Sequence, residues 1–120
     1  MFEKQVIPAD LCLEADLELI EQVLINLIKN SLEAMQETVG PRLSVIATIN
    51  EASQVRIAVS DNGTGIDENV LERLFLPFYS TKSNNSGIGL SLSQQIMMLH
   101  NGRLGISSPI LGGATFLMTF

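Results

Sequence analysis

Cysteine and histidine occur once each in this chain, as Cys12 and His100, and lysine and arginine together number only 7. A single cysteine excludes an internal disulfide framework, and no Cys or His spacing matches a zinc site. A reducing compartment fits that composition, so a cytoplasmic location is expected. The formal charge of -6, with charged residues at 17%, excludes a general nucleic-acid binder, because that affinity comes from clustered Lys and Arg. No apolar run reaches membrane-spanning length, and Met1-Phe-Glu-Lys-Gln lacks the basic and then apolar layout of a signal peptide. No membrane contact is expected of these residues; a longer parent protein anchored in the inner membrane is compatible with that.

What is present suffices for one domain over residues 1–120, since 46% of the 120 residues are hydrophobic. Residues 3 to 14 read as short extended pieces around Pro8, and Asp16 is an N-cap for a long helix running to about Gln36. Ile20, Val23, Leu24, Leu27, Ile28, Leu32 and Met35 recur at helical spacing and predict its buried face. Alternation through Leu43, Val45, Ala47 and Ile49, and again through Val55, Ile57 and Val59, predicts two strands joined by Asn50-Glu-Ala-Ser53. A short helix over 67 to 75 is expected, then a polar loop over 79 to 89 and a second long helix from about Ile88 to Asn101, closed by Gly102. Strands over about Arg103 to Ser107 and Ala114 to Phe120 complete the order. The pattern predicts an α+β fold, a two-layer α/β sandwich with helices on one face of a mixed, mostly antiparallel sheet.

Three segments carry chemistry. On the first helix, Asn26, Lys29 and Asn30 lie on the polar side, where two asparagines one turn apart are poor helix formers. An asparagine carbonyl is a hard oxygen donor for Mg²⁺, which suits Asn30; Lys29 would meet a phosphate as a point charge, and Asn26 would orient metal-bound water. An ordinary solvated helix face is the competing explanation. In Asp61-Asn-Gly-Thr-Gly-Ile66 the carboxylate can accept a hydrogen bond from an exocyclic amine while Gly63 and Gly65 allow close backbone approach. A plain strand-ending turn accounts for the same residues. From Tyr79 to Gly89, polar Ser80, Thr81 and Lys82 precede Gly87 and Gly89, whose amides would open a helix N-terminus toward phosphate, as a lid or else as a simple connection. The Gly-x-x-x-x-Gly-Lys-Ser/Thr loop, the third glycine of a dinucleotide fingerprint and the protein-kinase catalytic loop are all missing.

Taken in order, these segments resemble the ATP-binding catalytic domain of bacterial sensor histidine kinases, in the superfamily that includes gyrase, Hsp90 and MutL. Gln22-Val-Leu-Ile-Asn-Leu-Ile-Lys-Asn-Ser-Leu-Glu-Ala-Met35 is similar to the N box, and Asp61 to Ile66 to the first glycine box. Leu74 to Lys82 resembles the F box, Ser86-Gly-Ile-Gly-Leu-Ser-Leu92 the second glycine box, and Gly112-Gly-Ala-Thr-Phe116 the terminal Gly-x-Thr element. The resemblance implies the Bergerat-type sandwich and Mg²⁺·ATP as cofactors. It implies that Asn30 binds the metal, that Asn26 and Lys29 approach the phosphates and that these three form the catalytic set. It also implies that Asp61 binds the adenine amine with support from Thr115. Gly63, Gly65, Ile66, Thr81, Lys82, Gly87, Ile88, Gly89 and Leu90 would line or close over the nucleotide.

Members of that superfamily that hydrolyse ATP carry a Glu four residues before the metal-binding Asn, as base for water; here the position is Asn26. The resemblance therefore implies a kinase, donating the γ-phosphoryl group to a histidine on a separate dimerisation hairpin, with a response regulator downstream. His100 lies at a helix end before Gly102, which suits capping or packing better than phosphorylation. The phosphoacceptor hairpin is absent, so no autophosphorylation is expected of this chain alone. A protein serine kinase of the anti-sigma type and a non-catalytic nucleotide-binding module are the alternatives.

Overall fold

Asp16 starts the first helix by accepting the Leu19 N–H on its side-chain Oδ1 at 3.2 Å, which satisfies one of the free amides of the first turn. The helix, α1, covers Leu17–Ala34 in a computed structural model that describes residues 1–66, 89–108 and 112–120. Its buried side is the i, i+4 ladder Val23, Leu27 and Ser31, with Ile20 above and Met35 below. Leu24 and Ile28 flank this core, half-buried. Leu32, assigned to the same face from spacing, is instead 53% exposed, because it lies about 100° round the helix from Ser31, which continues the buried ladder below Leu27.

Strands β1 (Phe2–Val6), β2 (Leu43–Ile49), β3 (Val55–Asp61), β4 (Arg103–Ser107) and β5 (Ala114–Thr119) form one sheet in the order β1-β2-β3-β5-β4. β1 runs parallel to β2 along an exposed edge, and the other pairs are antiparallel. Asn50 makes the β2 to β3 hairpin by accepting the Ala52 and Gln54 N–H groups on its side chain at 3.0 and 2.9 Å. Register places Val45, Val59 and Phe116 in one row and Ile57 and Met118 in the next, so one sheet face is apolar. α1 and the second described helix, α2 (Gly89–Leu99), cover that face, joining Val23, Leu27, Ile96 and Met97 to Leu43, Val59, Leu104, Phe116 and Met118. This is the expected two-layer α+β sandwich. The helix expected over 67 to 75, the loop from Tyr79 to Ser86 and the segment that resembles the F box lie outside the described residues.

The end of α2 differs from the sequence expectation in one residue. Asn101 adopts the left-handed conformation (φ 58°), while its N–H donates to Met98 at 3.0 Å and that of Gly102 to Met97 at 2.8 Å. This is the paired bond pattern of a Schellman ending, with asparagine rather than Gly102 in the left-handed position. Gly102 has a different reason to be glycine: a Cβ there would strike the Thr119 carbonyl of β5.

Candidate functional site

The site lies where α1, the end of β3 and the start of α2 meet. Asn26 and Asn30 project from the polar side of α1 and are half-buried, whereas Lys29 between them is exposed. Asn26 faces α2: its Nδ2 donates to the hydroxyl of Ser93 at 3.2 Å. Gly89, the first residue of α2, packs so closely against this amide that an added Cβ would collide with Asn26 Oδ1. The second glycine box therefore contributes more than a flexible start to a helix, because Gly89 makes room for the side chain of Asn26.

At the end of β3, Asp61 points to the helix-covered face, in the same row as Leu43 and Ala114. One carboxylate oxygen, Oδ1, accepts the Gly63 N–H at 2.9 Å. The other, Oδ2, is buried and has no hydrogen-bond partner among the described residues. A buried carboxylate oxygen left in that state is costly, and it can accept a further hydrogen bond.

The glycines after Asp61 fasten its turn to two elements. Thr64 N–H donates to the Ala34 carbonyl at the end of α1 at 3.2 Å, and a Cβ on Gly63 would lie 2.5 Å from that same oxygen. On the other side, Gly113 N–H donates to the Gly63 carbonyl at 3.1 Å. Ser108 clamps the turn, accepting the Ile66 N–H and donating to the Gly113 carbonyl, both at 2.9 Å. Gly65 (φ 77°) and Gly113 (φ 82°) sit in the left-handed region that this stitching requires. The turn is held one helical turn beyond Asn30, so one frame fixes Asp61 relative to Asn30.

Of the expected site residues, Asn26, Lys29, Asn30, Asp61, Gly63, Gly65, Ile66, Gly89 and Leu90 fall in this region of the described structure. Thr115 does not join Asp61: it is in register with Ser60, one position along, and its hydroxyl lies 2.9 Å from that of Ser60. Alternation along β3 and β5 turns this hydroxyl pair to the other sheet face, and Ala114 is the residue opposite Asp61. Thr81, Lys82, Gly87 and Ile88 lie outside the described residues. Two serines escaped the sequence reading. Ser93 is 2% exposed on the apolar helix α2, where a serine signals only that something polar faces it; Ser108 is a loop serine with no distinguishing pattern.

His100 stands at the opposite end of α2, about 16 Å from Gly89 at 1.5 Å rise per residue. Its Nδ1 bonds the Ile96 carbonyl at 2.8 Å, its Nε2 accepts the Asp16 N–H at 3.1 Å, and its ring meets Phe120 edge-on. Both ring nitrogens are committed to structure.

No group of three or more His, Cys, Asp or Glu that could hold a metal ion occurs among the described residues. A divalent cation here would rest on neutral amide oxygens, a set that fits Mg²⁺ sharing its remaining positions between phosphate and water. No described helix is long and apolar enough to cross a membrane.

Comparison with known proteins identifies relatives in sequence and in fold. A family model described as histidine kinase-, DNA gyrase B-, and HSP90-like ATPase matches residues 15–120. The sensor protein FixL of Bradyrhizobium diazoefficiens is 42% identical over 111 residues, which is 92% of this chain and 22% of FixL. The chain thus spans about a fifth of that relative's length. Among solved structures, the catalytic domain of the histidine kinase ThkA superposes with a TM-score of 0.86 at 30% identity, covering 99% of this chain and 76% of that one. ThkA in complex with the response regulator protein TrrA superposes with a TM-score of 0.81 at 30% identity, covering 99% of this chain and 33% of that one.

Proposed function

The chain belongs to the histidine kinase-, DNA gyrase B-, and HSP90-like ATPase family, and from that membership we propose that it is the Mg²⁺·ATP-binding catalytic domain of a sensor histidine kinase. It donates the γ-phosphoryl group to a histidine on a helical hairpin supplied by the rest of the parent protein or by a dimer mate. A response regulator then takes the phosphoryl group, a relation supported by the solved complex of ThkA with the response regulator protein TrrA. The observation that carries the reading is Asp61, with one carboxylate oxygen fixed by Gly63 and the other buried and unpartnered among the described residues. An exocyclic amine such as that of adenine supplies the donor this oxygen lacks.

The remaining roles follow from the residues present. Asn30 would hold the metal through its side-chain carbonyl, with Asn26 next to it, and Lys29 adds an exposed positive charge toward phosphate. Mg²⁺, when bound with the nucleotide, offsets negative charge on the phosphate oxygens. No carboxylate stands at position 26 to take a proton from water, so the site favours a nucleophile that arrives deprotonated. A neutral imidazole meets that need: its nitrogen lone pair forms the P–N bond as the bond from the γ-phosphorus to the bridging oxygen breaks and ADP leaves. His100 is unsuited as that acceptor, because both its nitrogens are bonded within the fold.

Incubation of the chain with radiolabelled ATP, Mg²⁺ and a purified phosphoacceptor hairpin tests this reading. Label on the hairpin that is lost in acid and kept in base is the expected result. Acid-stable label would indicate a serine acceptor, and nucleotide binding without any transfer would indicate a binding module.

A further inference from the structure

The contact between Asn26 and Ser93 assigns a direction to an amide that is otherwise symmetric in shape. Asn26 offers a donor end and an acceptor end, and only hydrogen bonds decide which faces the nucleotide. Ser93 is 2% exposed inside α2, so its hydroxyl is shielded from water. Its oxygen receives Nδ2 of Asn26, the bond observed at 3.2 Å. With Nδ2 committed, Oδ1 is the end that lies nearest the Cβ position of Gly89, at the start of α2.

We infer that Ser93 is a positioning residue for the nucleotide site, holding the Asn26 amide so that its carbonyl rather than its NH₂ group is turned toward the start of α2. The inference rests on the ATP-binding reading above and sharpens it. A carbonyl oxygen cannot bond a phosphate oxygen, since both are acceptors, but it can accept from water held on a cation. Asn26 therefore serves the hydrated metal and not the phosphates directly. Gly89 and Ser93, one turn apart on α2, act together: the first gives the amide space and the second sets its roll.

The consequence separates two kinds of nucleotide binding. Calorimetric titration with ATP is carried out with excess Mg²⁺ and with EDTA, on wild type, Ser93→Ala and Ser93→Thr, each checked for an unchanged circular dichroism spectrum. Ser93→Ala is expected to weaken binding about five- to tenfold with Mg²⁺, the scale of one lost hydrogen bond, while leaving binding in EDTA within about twofold. Ser93→Thr keeps the hydroxyl and restores the Mg²⁺-dependent part. The side-chain amide of Asn26 gives a reading free of nucleotide: its NH₂ signal in a ¹⁵N correlation spectrum shifts in Ser93→Ala and returns in Ser93→Thr. Equal weakening with and without Mg²⁺ in Ser93→Ala overturns this role and leaves the ATP reading standing. Wild type that binds ATP in neither condition overturns both.

Discussion

The backbone N–H of Asp16 donates to Nε2 of His100 at 3.1 Å, so the N-cap of α1 and the last turn of α2 share one hydrogen bond across 84 residues of sequence. The same ring bonds Ile96 through Nδ1, which places the proton on Nδ1 and leaves Nε2 as the acceptor. A histidine held this way is a clamp between the two helices that carry the site.

Replacing His100 with Ala is expected to destabilise the fold by about 1–3 kcal/mol, because the Asp16 N–H and the Ile96 carbonyl both lose a partner. Urea unfolding measures the loss. ATP affinity, read on folded protein, stays within about twofold, as expected of a group outside the nucleotide site.

Ser31 is fully buried and its hydroxyl has no partner among the described residues, although it continues the ladder of Val23 and Leu27. Ser31→Ala removes an unsatisfied polar atom without changing the backbone. It is expected to be neutral or to stabilise by up to about 1 kcal/mol, the reverse of an ordinary core truncation. Thermal unfolding distinguishes the outcomes; a drop of several degrees would mean that the hydroxyl has a structural partner.

Gly113 combines a positive φ with a backbone so close to the Asp61 carbonyl that any Cβ would clash with it. Gly113→Ala is expected to cost at least about 1–2 kcal/mol from the dihedral alone. It should also displace the Asp61 turn, since Gly113 N–H bonds Gly63. The measurable result is a weakened ATP affinity both with and without Mg²⁺, unlike the metal-selective loss expected at Ser93.

Much of this was legible in the sequence because periodicity and motif order are local signals. The Asp16 cap, the hairpin at Asn50 and the apolar rows through Val59 and Phe116 all follow from residues within a few positions of each other. Leu32 and Gly102 were misread for one reason: each sits beside a residue, Ser31 or Asn101, that took the role pattern had assigned to it. Ser93 and Ser108 were unreadable because their partners lie 67 and 42 residues away. Thr115 shows the same limit in a strand, where a one-position register decides which face a hydroxyl serves, and only the pairing with Ser60 reveals it.

The central claim is that Asp61 receives the base of ATP, and isothermal titration of wild type and Asp61→Ala with Mg²⁺·ATP tests it most directly. Wild type is expected to bind one ATP, and the variant, folded by circular dichroism, to bind it at least about tenfold more weakly, as for loss of a hydrogen bond to a charged group. An affinity for ATP in Asp61→Ala equal to that of wild type would contradict the account.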